Sequence, residues 1–197
     1  AVAITELLVT FDEPVQATSA QAVGNYLLAF VGSNGVVDST NCSLGGDDTA
    51  IAVDSAAYAS GTATLGVNGA AALGEGRYRL FVCTGVVDLG GNALGGGTAF
   101  ARSFTVDTTA PGGVDPVTSA SHGDGLPKSN PTIAIAWSAA SDALSGVAVY
   151  RYGFAPTATP PACSALGDTT TGTSTASAAV LDGTWYAHIC AVDGAGN

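Results

Sequence analysis

A chain of 197 residues with 16 acids against five bases carries a formal net charge of −11. Such a surface repels phosphate backbones and anionic lipid heads, which argues against nucleic-acid partners and membrane-surface roles, and no apolar run reaches the 18 residues or more of a membrane span. The length suits two domains of roughly 100 residues, and 27 glycines, no Met and only 7% aromatics predict short strands, many turns and cores of Val, Ile, Leu and Ala.

In chain order, residues 4–11 read as a strand closed by Asp12, Glu13 and Pro14. A second strand at 26–31 ends at the turn Gly32-Ser33-Asn34-Gly35, and two more are expected at 50–53 and 62–67. Residues 77–84 alternate, with Tyr78, Leu80 and Val82 on one face and Arg77, Arg79, Phe81 and Cys83 on the other. A glycine turn from Asp88 to Asn92 leads to a last strand at 100–106. The segment from Asp107 through Pro111, Gly112 and Gly113 is a composition break, which sets a first domain at 1–107, a linker at 108–113 and a second domain at 114–197.

The second half repeats the plan. Strands are expected at 132–137 and 147–154, separated by a loop carrying Asp142. A Pro-rich excursion through Pro156, Pro160 and Pro161 leads to Cys163. The Thr/Ser/Gly tract 169–177 reads as a mobile loop ahead of a strand near 178–181. In 184–192, Trp185, Ala187, Ile189 and Ala191 alternate with Tyr186, His188, Cys190 and Val192. In both halves a Cys late in an aromatic-led strand is followed by Asp-x-x-Gly-Asn, at Asp88–Asn92 and at Asp193–Asn197. The expectation is an all-β chain of two tandem sandwiches.

The runs VTFDEPV, NYLL, GRYRLFV and VDLGGNAL of the first half resemble the bacterial Ig-like domains of S-layer and other surface-repeat proteins. The runs WSAASDALSGVAVYRY and DGTWYAHICAVDGAGN of the second half are similar to fibronectin type III-like or Ig-like repeats of the same exoproteins, and VDTTAP is a common joint between such modules. The resemblance implies an extracellular or cell-surface location in a bacterium and a non-catalytic structural or spacer role, its partners being neighbouring repeats or copies of the same chain. It also implies an opening strand that is not visible before Ile4 and a closing strand that is not visible after Asn197. The expectation is therefore a piece of a longer repeat array, or a strand donated by a neighbour. Two rival roles stand beside the spacer: a filament or lattice subunit assembled by strand addition, and an adhesin or carbohydrate-binding accessory module with glycan partners.

Four cysteines with no CxxC pair and no His pair do not suit zinc, and an oxidising compartment pairs them. Chain order and the domain boundary favour Cys42–Cys83 and Cys163–Cys190, each stabilising by about 3–4 kcal/mol and each clipping a loop to an outer face. No cofactor is required. In an Ig topology Asp12 and Glu13 approach Asp88 and Asn92, while Asp142 approaches Asp193 and Asn197 with the linker's Asp107 and Asp115 nearby. These are oxygen ligands of the kind calcium takes. The bland alternative is that Asp88 and Asp193 close glycine turns through backbone N–H groups. Trp137 and Trp185 are expected as core anchors rather than sugar platforms. His122 falls in a loop and His188 on an outer face, and no nucleophile elbow, HExxH pair or phosphate loop is present, so no catalysis is expected.

Overall fold

Alternating apolar residues decide where this chain extends, and tight glycine turns decide where it reverses. The computed structural model describes residues 3–197 as two units, the first ending at Asp107 and the second running from Thr108 to Asn197. Helix is confined to single short turns, and every sheet is antiparallel.

The first unit holds β1 (Glu6–Thr10), the one-turn helix α1 (Ala17–Ala20), β2 (Tyr26–Phe30), β3 (Thr49–Ile51), β4 (Val53–Ala59), β5 (Thr62–Val67), β6 (Gly76–Val82) and β7 (Phe100–Val106). They form sheets of order β1-β5-β4 and β3-β2-β6-β7. The period-2 pattern of β5 and β6 turns Ala63, Leu65 and Val67 of one sheet and Tyr78, Leu80 and Val82 of the other into one shared core. Leu28, Leu65, Val67, Val82 and Val86 are its largest fully buried side chains. Tyr78 stands edge-on to Phe30 and stacks on Phe104 at 5.3 Å, which fastens β7 to β6 and β2.

The second unit holds β8 (Val117–Thr118), β9 (Ala134–Trp137), β10 (Val147–Ala155), β11 (Asp168–Thr170), β12 (Ser174–Ala176) and β13 (Tyr186–Asp193), in sheets of order β12-β9-β8 and β11-β10-β13. Its core is thin among the described residues: Ile135, Trp137 and Tyr150 are buried, with Ala187, Ile189 and Ala191 of β13 packed against them. Trp137 and Tyr150 meet edge to face at 5.4 Å. Residues 108–113 are fastened to this unit rather than left as free chain, since the Gly112 N–H donates to the Ser141 carbonyl.

Several expectations need correction. The tract 169–177 is not a loop: it contains the end of β11 and all of β12, whose β-branched Thr residues favour extension and which pairs with β9. No strand forms at 178–181; Leu181 is 84% exposed instead. The stretch 50–53 is a crossing rather than one strand, because Ala52 separates β3 in one sheet from β4 in the other. Strand β8 and helix α1 were unmarked in the sequence. Trp137 is buried as expected, but Trp185 is only half-buried.

Candidate functional site

The two Asp-x-x-Gly-Asn turns are the same structure made twice. In the first, both oxygens of Asp88 are taken by Asn92, Oδ1 by its backbone N–H and Oδ2 by its side-chain amide, each at 2.8 Å, while Asp88 N–H donates back to the Asn92 carbonyl. In the second, Asp193 Oδ1 accepts from Ala195 N–H and Asn197 N–H, and Oδ2 from the Asn197 amide at 3.0 Å. The glycine in each turn has a positive φ, +86° at Gly91 and +91° at Gly196, which explains its place in the motif. Hydrogen bonds from the Asn92 side chain and backbone hold the Asp88 carboxyl below the ordinary carboxylate value. Burial pushes the Asp193 carboxyl up, but the bonds from Asn197, Gly196 and Ala195 outweigh it and the net direction is also downward.

The other expected calcium ligands are placed differently in the two units. Asp12 and Glu13 are exposed beyond β1. Their chain runs beside the Asp88 turn through a Val15–Asp88 bridge, yet among the described residues Asp12, Glu13 and Asp88 do not gather three carboxylate oxygens within 4.8 Å. In the second unit Asp142 and Asp193 do approach, each offering an oxygen within 4.8 Å of the other. Asp142 Oδ1 is already shared among the N–H groups of Leu144, Ser145 and Gly146, which fixes the turn before β10. Asp107 ends the first unit as a buried residue, directly after β7.

A third carboxylate group, Asp38, Asp47 and Asp48, was missed from the sequence. Asp48 is the buried hub of the loop between β2 and β3, accepting from Ser39 Oγ at 2.7 Å, from the N–H groups of Ser39 and Asp38, and from Gly32 N–H. Asp47 is exposed and accepts from Ser33 Oγ and Asn34 N–H. The Ser39 hydroxyl foremost holds the Asp48 carboxyl low, and Ser33 does the same for Asp47. The usable signal was Asn-Gly at 34–35 and Gly-Gly-Asp-Asp at 45–48, turn residues that need an acceptor to close on.

Two disulfides brace the same architectural position in each unit. Cys42–Cys83 ties the β2–β3 connection to the end of β6, with Cα atoms 5.8 Å apart; Cys163–Cys190 ties the β10–β11 connection to β13, at 5.9 Å. None of the four cysteines belongs to either hydrophobic core.

Both histidines make hydrogen bonds within the second unit. His188 is buried, not exposed: the Pro-rich excursion covers that face, and Nε2 lies 3.0 Å from the Thr157 carbonyl oxygen. His122 Nδ1 lies 2.8 Å from Ser121 Oγ and Nε2 lies 3.0 Å from the Asn130 carbonyl oxygen. That hydroxyl also accepts the Ala134 N–H.

No protein-family model matches the sequence, and no curated protein matches it. Among solved structures, the crystal structure of the N-terminal part of the bacterial S-layer protein SbsC aligns over 98% of this chain at 18% identity with a TM-score of 0.38. The chain spans 42% of that structure's length.

The second unit carries a groove of about 640 Å³ between β8 and β9 on one side and the start of β13 on the other. Val117, Ile133, Ile135, Leu181, Trp185 and Ala187 line it. The Trp185 indole N–H is engaged by the Leu181 carbonyl at 2.9 Å, so the ring forms part of the groove wall. Strands β8 and β13 are each the edge of their sheet, which is why the groove is open.

Proposed function

We propose that the chain is a non-catalytic spacer of an extracellular surface protein, built as two tandem Ig-like sandwiches joined at the Pro-containing segment 108–113. The observation that carries this reading is the repeated brace: in each half one disulfide and one Asp–Asn clasp secure the same strand end, leaving both carboxylate oxygens of Asp88 and Asp193 committed to turn closure. Covalent loops outside a hydrophobic core favour persistence where thiols are oxidised and no chaperone operates. In this reading calcium is dispensable, and adding it after chelation leaves the melting temperature unchanged.

Pulling the chain from its ends tests the role. Two separate unfolding events are expected, and reduction should lengthen them by about 150 Å and about 100 Å, the extended lengths of the loops that Cys42–Cys83 and Cys163–Cys190 close over separations of 41 and 27 residues. A single event, or events whose lengths ignore reduction, overturns the reading.

A further inference from the structure

Cations are scarce in this chain, yet two of its five, Arg77 and Arg79, lie on one face of β6. Alternation puts them there. Tyr78, Leu80 and Val82 of β6 and Phe104 and Val106 of β7 pack into the core, so Arg77, Arg79, Ser103 and Thr105 stand on the opposite side of the sheet. The ladder sets Arg77 across from Thr105 and Arg79 across from Ser103, pairs whose Cβ atoms stand about 5 Å apart. Two guanidiniums and two hydroxyls therefore share one patch.

A cavity of about 160 Å³ opens on this patch, lined by Val31, Gly35 and Val37 from the β2–β3 connection, by Arg77, and by Ser103 and Thr105 of β7. The connection comes close: a Cβ at Gly35 would lie 3.7 Å from Arg77 Nη1. Its carboxylates nevertheless leave Arg77 alone, because the connection's own donors hold them. Asp38 accepts from the Asn34 amide at 2.7 Å, Asp47 from Ser33 Oγ and Asn34 N–H, and Asp48 from Ser39. Among the described residues, the side chains of Arg77, Arg79, Ser103 and Thr105 have no hydrogen-bond or ion-pair partner. Arg79 is half-buried, with its guanidinium carbon 5.4 Å from the Phe81 ring centroid and its Nε buried without an acceptor. Buried donors in folded chains are nearly always satisfied, so this one calls for an acceptor that the chain does not supply.

We propose that this face binds a single oxyanion group, a carboxylate or a phosphate, held by the Arg77 and Arg79 guanidiniums and the Ser103 and Thr105 hydroxyls. All four side chains can donate, and the guanidinium fork matches two oxygens of one acid group. The cavity is well below the roughly 300–1,000 Å³ of sites that enclose drug-sized ligands, so it takes the acid group and leaves the remainder of its carrier in solvent. The formal charge of −11 opposes the gathering of long polyanions, which selects an acid that is free in solution or pendant on a neutral polymer. This binding role goes beyond the spacer reading and does not depend on it.

Amide chemical-shift titration of the whole chain tests it, with inorganic phosphate, acetate and galacturonate as probes and galactose as the neutral control. The expected result is a saturable change at residues 35–37, 77–79 and 103–105, with a Kd on the order of 1 mM that weakens as salt is raised. Arg77→Gln, a change at an exposed side chain whose own spectrum reports the fold, should weaken phosphate binding by about tenfold; Ser103→Ala should weaken it less, and Arg151→Gln in the second unit should leave it unchanged. Galacturonate binding tighter than acetate would place the acid on a sugar, and equal binding would make it a free acid; either result upholds the site. Changes that do not saturate, that survive Arg77→Gln at full strength, or that appear equally around Arg151 and Lys128 would overturn it. Equal binding of galactose would overturn it as well, since the acid group would then play no part.

Discussion

Asn92 closes on Asp88 through two hydrogen bonds at 2.8 Å, one from its backbone and one from its side chain, and the turn so made delivers the chain to β7. Asp88→Ala removes both acceptors and should lower the melting temperature by loosening the β6–β7 connection; Asp193→Ala should loosen the matching turn after β13. The pH dependence has a definite sign. Asp48, Asp88 and Asp193 titrate below their ordinary value in the folded chain, so each contributes stability that is complete above about pH 4, the unfolded value, and is lost as pH falls through the lower folded value. Thermal melts should be flat from neutrality to about pH 5 and fall below about pH 4, with a shallower fall in a variant lacking Asp88 and Asp193. A wild-type curve flat down to about pH 2 would remove the carboxylates from this role.

Reduction should separate the two units. By chain entropy the Cys42–Cys83 bond stabilises its unit by about 4 kcal/mol and Cys163–Cys190 by about 3.5 kcal/mol. The second unit has far less to fall back on, because its described core rests on Ile135, Trp137 and Tyr150 while the first shares a core drawn from both sheets. Titration with a reductant, followed by near-ultraviolet circular dichroism and proteolysis, should show cleavage within 108–197 while residues before Asp107 remain resistant. Simultaneous loss of both units would contradict this ranking.

The same contrast explains what could be read from the sequence. Strands with clean alternation over a well-filled core, such as β2, β5, β6 and β7, lie within a residue or two of where the pattern predicts them. Legibility fails where packing is thin and residues are small. Strand β12 is Ser-Thr-Ala and β8 is two residues long; both exist because β9 offers them an edge, and that partner is distant in sequence. The Asp–Asn clasps were visible as a repeated motif because their bonds are local. Asp48 was not, since its donors Gly32, Asp38 and Ser39 come from another part of the loop.

Gly76 opens β6 at φ +146°, and a Cβ there would fall on the Phe30 ring, which is held edge-on against Tyr78. Gly76→Ala should therefore cost about 2–3 kcal/mol, from a strained backbone and a ring with little room to move. Chemical denaturation would show the loss as a lower midpoint with an unchanged slope. Gly61→Ala is the informative control: it also has a positive φ, +80°, but its Cβ would meet nothing within 4 Å, so it isolates the backbone cost and should be milder.

Tyr26 supplies a second pH signature at the opposite end of the scale. It is buried at the start of β2, and its hydroxyl donates to the Ala20 carbonyl at 2.7 Å, linking α1 to the core. Burial pushes the phenol up to about 12. A raised folded value stabilises the fold fully below the unfolded value of about 10, and that stability is lost as pH rises through the folded value. Burial pushes Tyr78 up as well, so absorbance titration of phenolate should show late ionisation of which the Tyr26 part disappears in Tyr26→Phe, and the variant should lose about 1–2 kcal/mol at neutral pH because the buried Ala20 carbonyl loses its donor. The alkaline unfolding of the native chain should also be steeper than that of the variant. If every tyrosine ionised together near pH 10, the hydroxyl would be in water and the link between α1 and β2 would not exist.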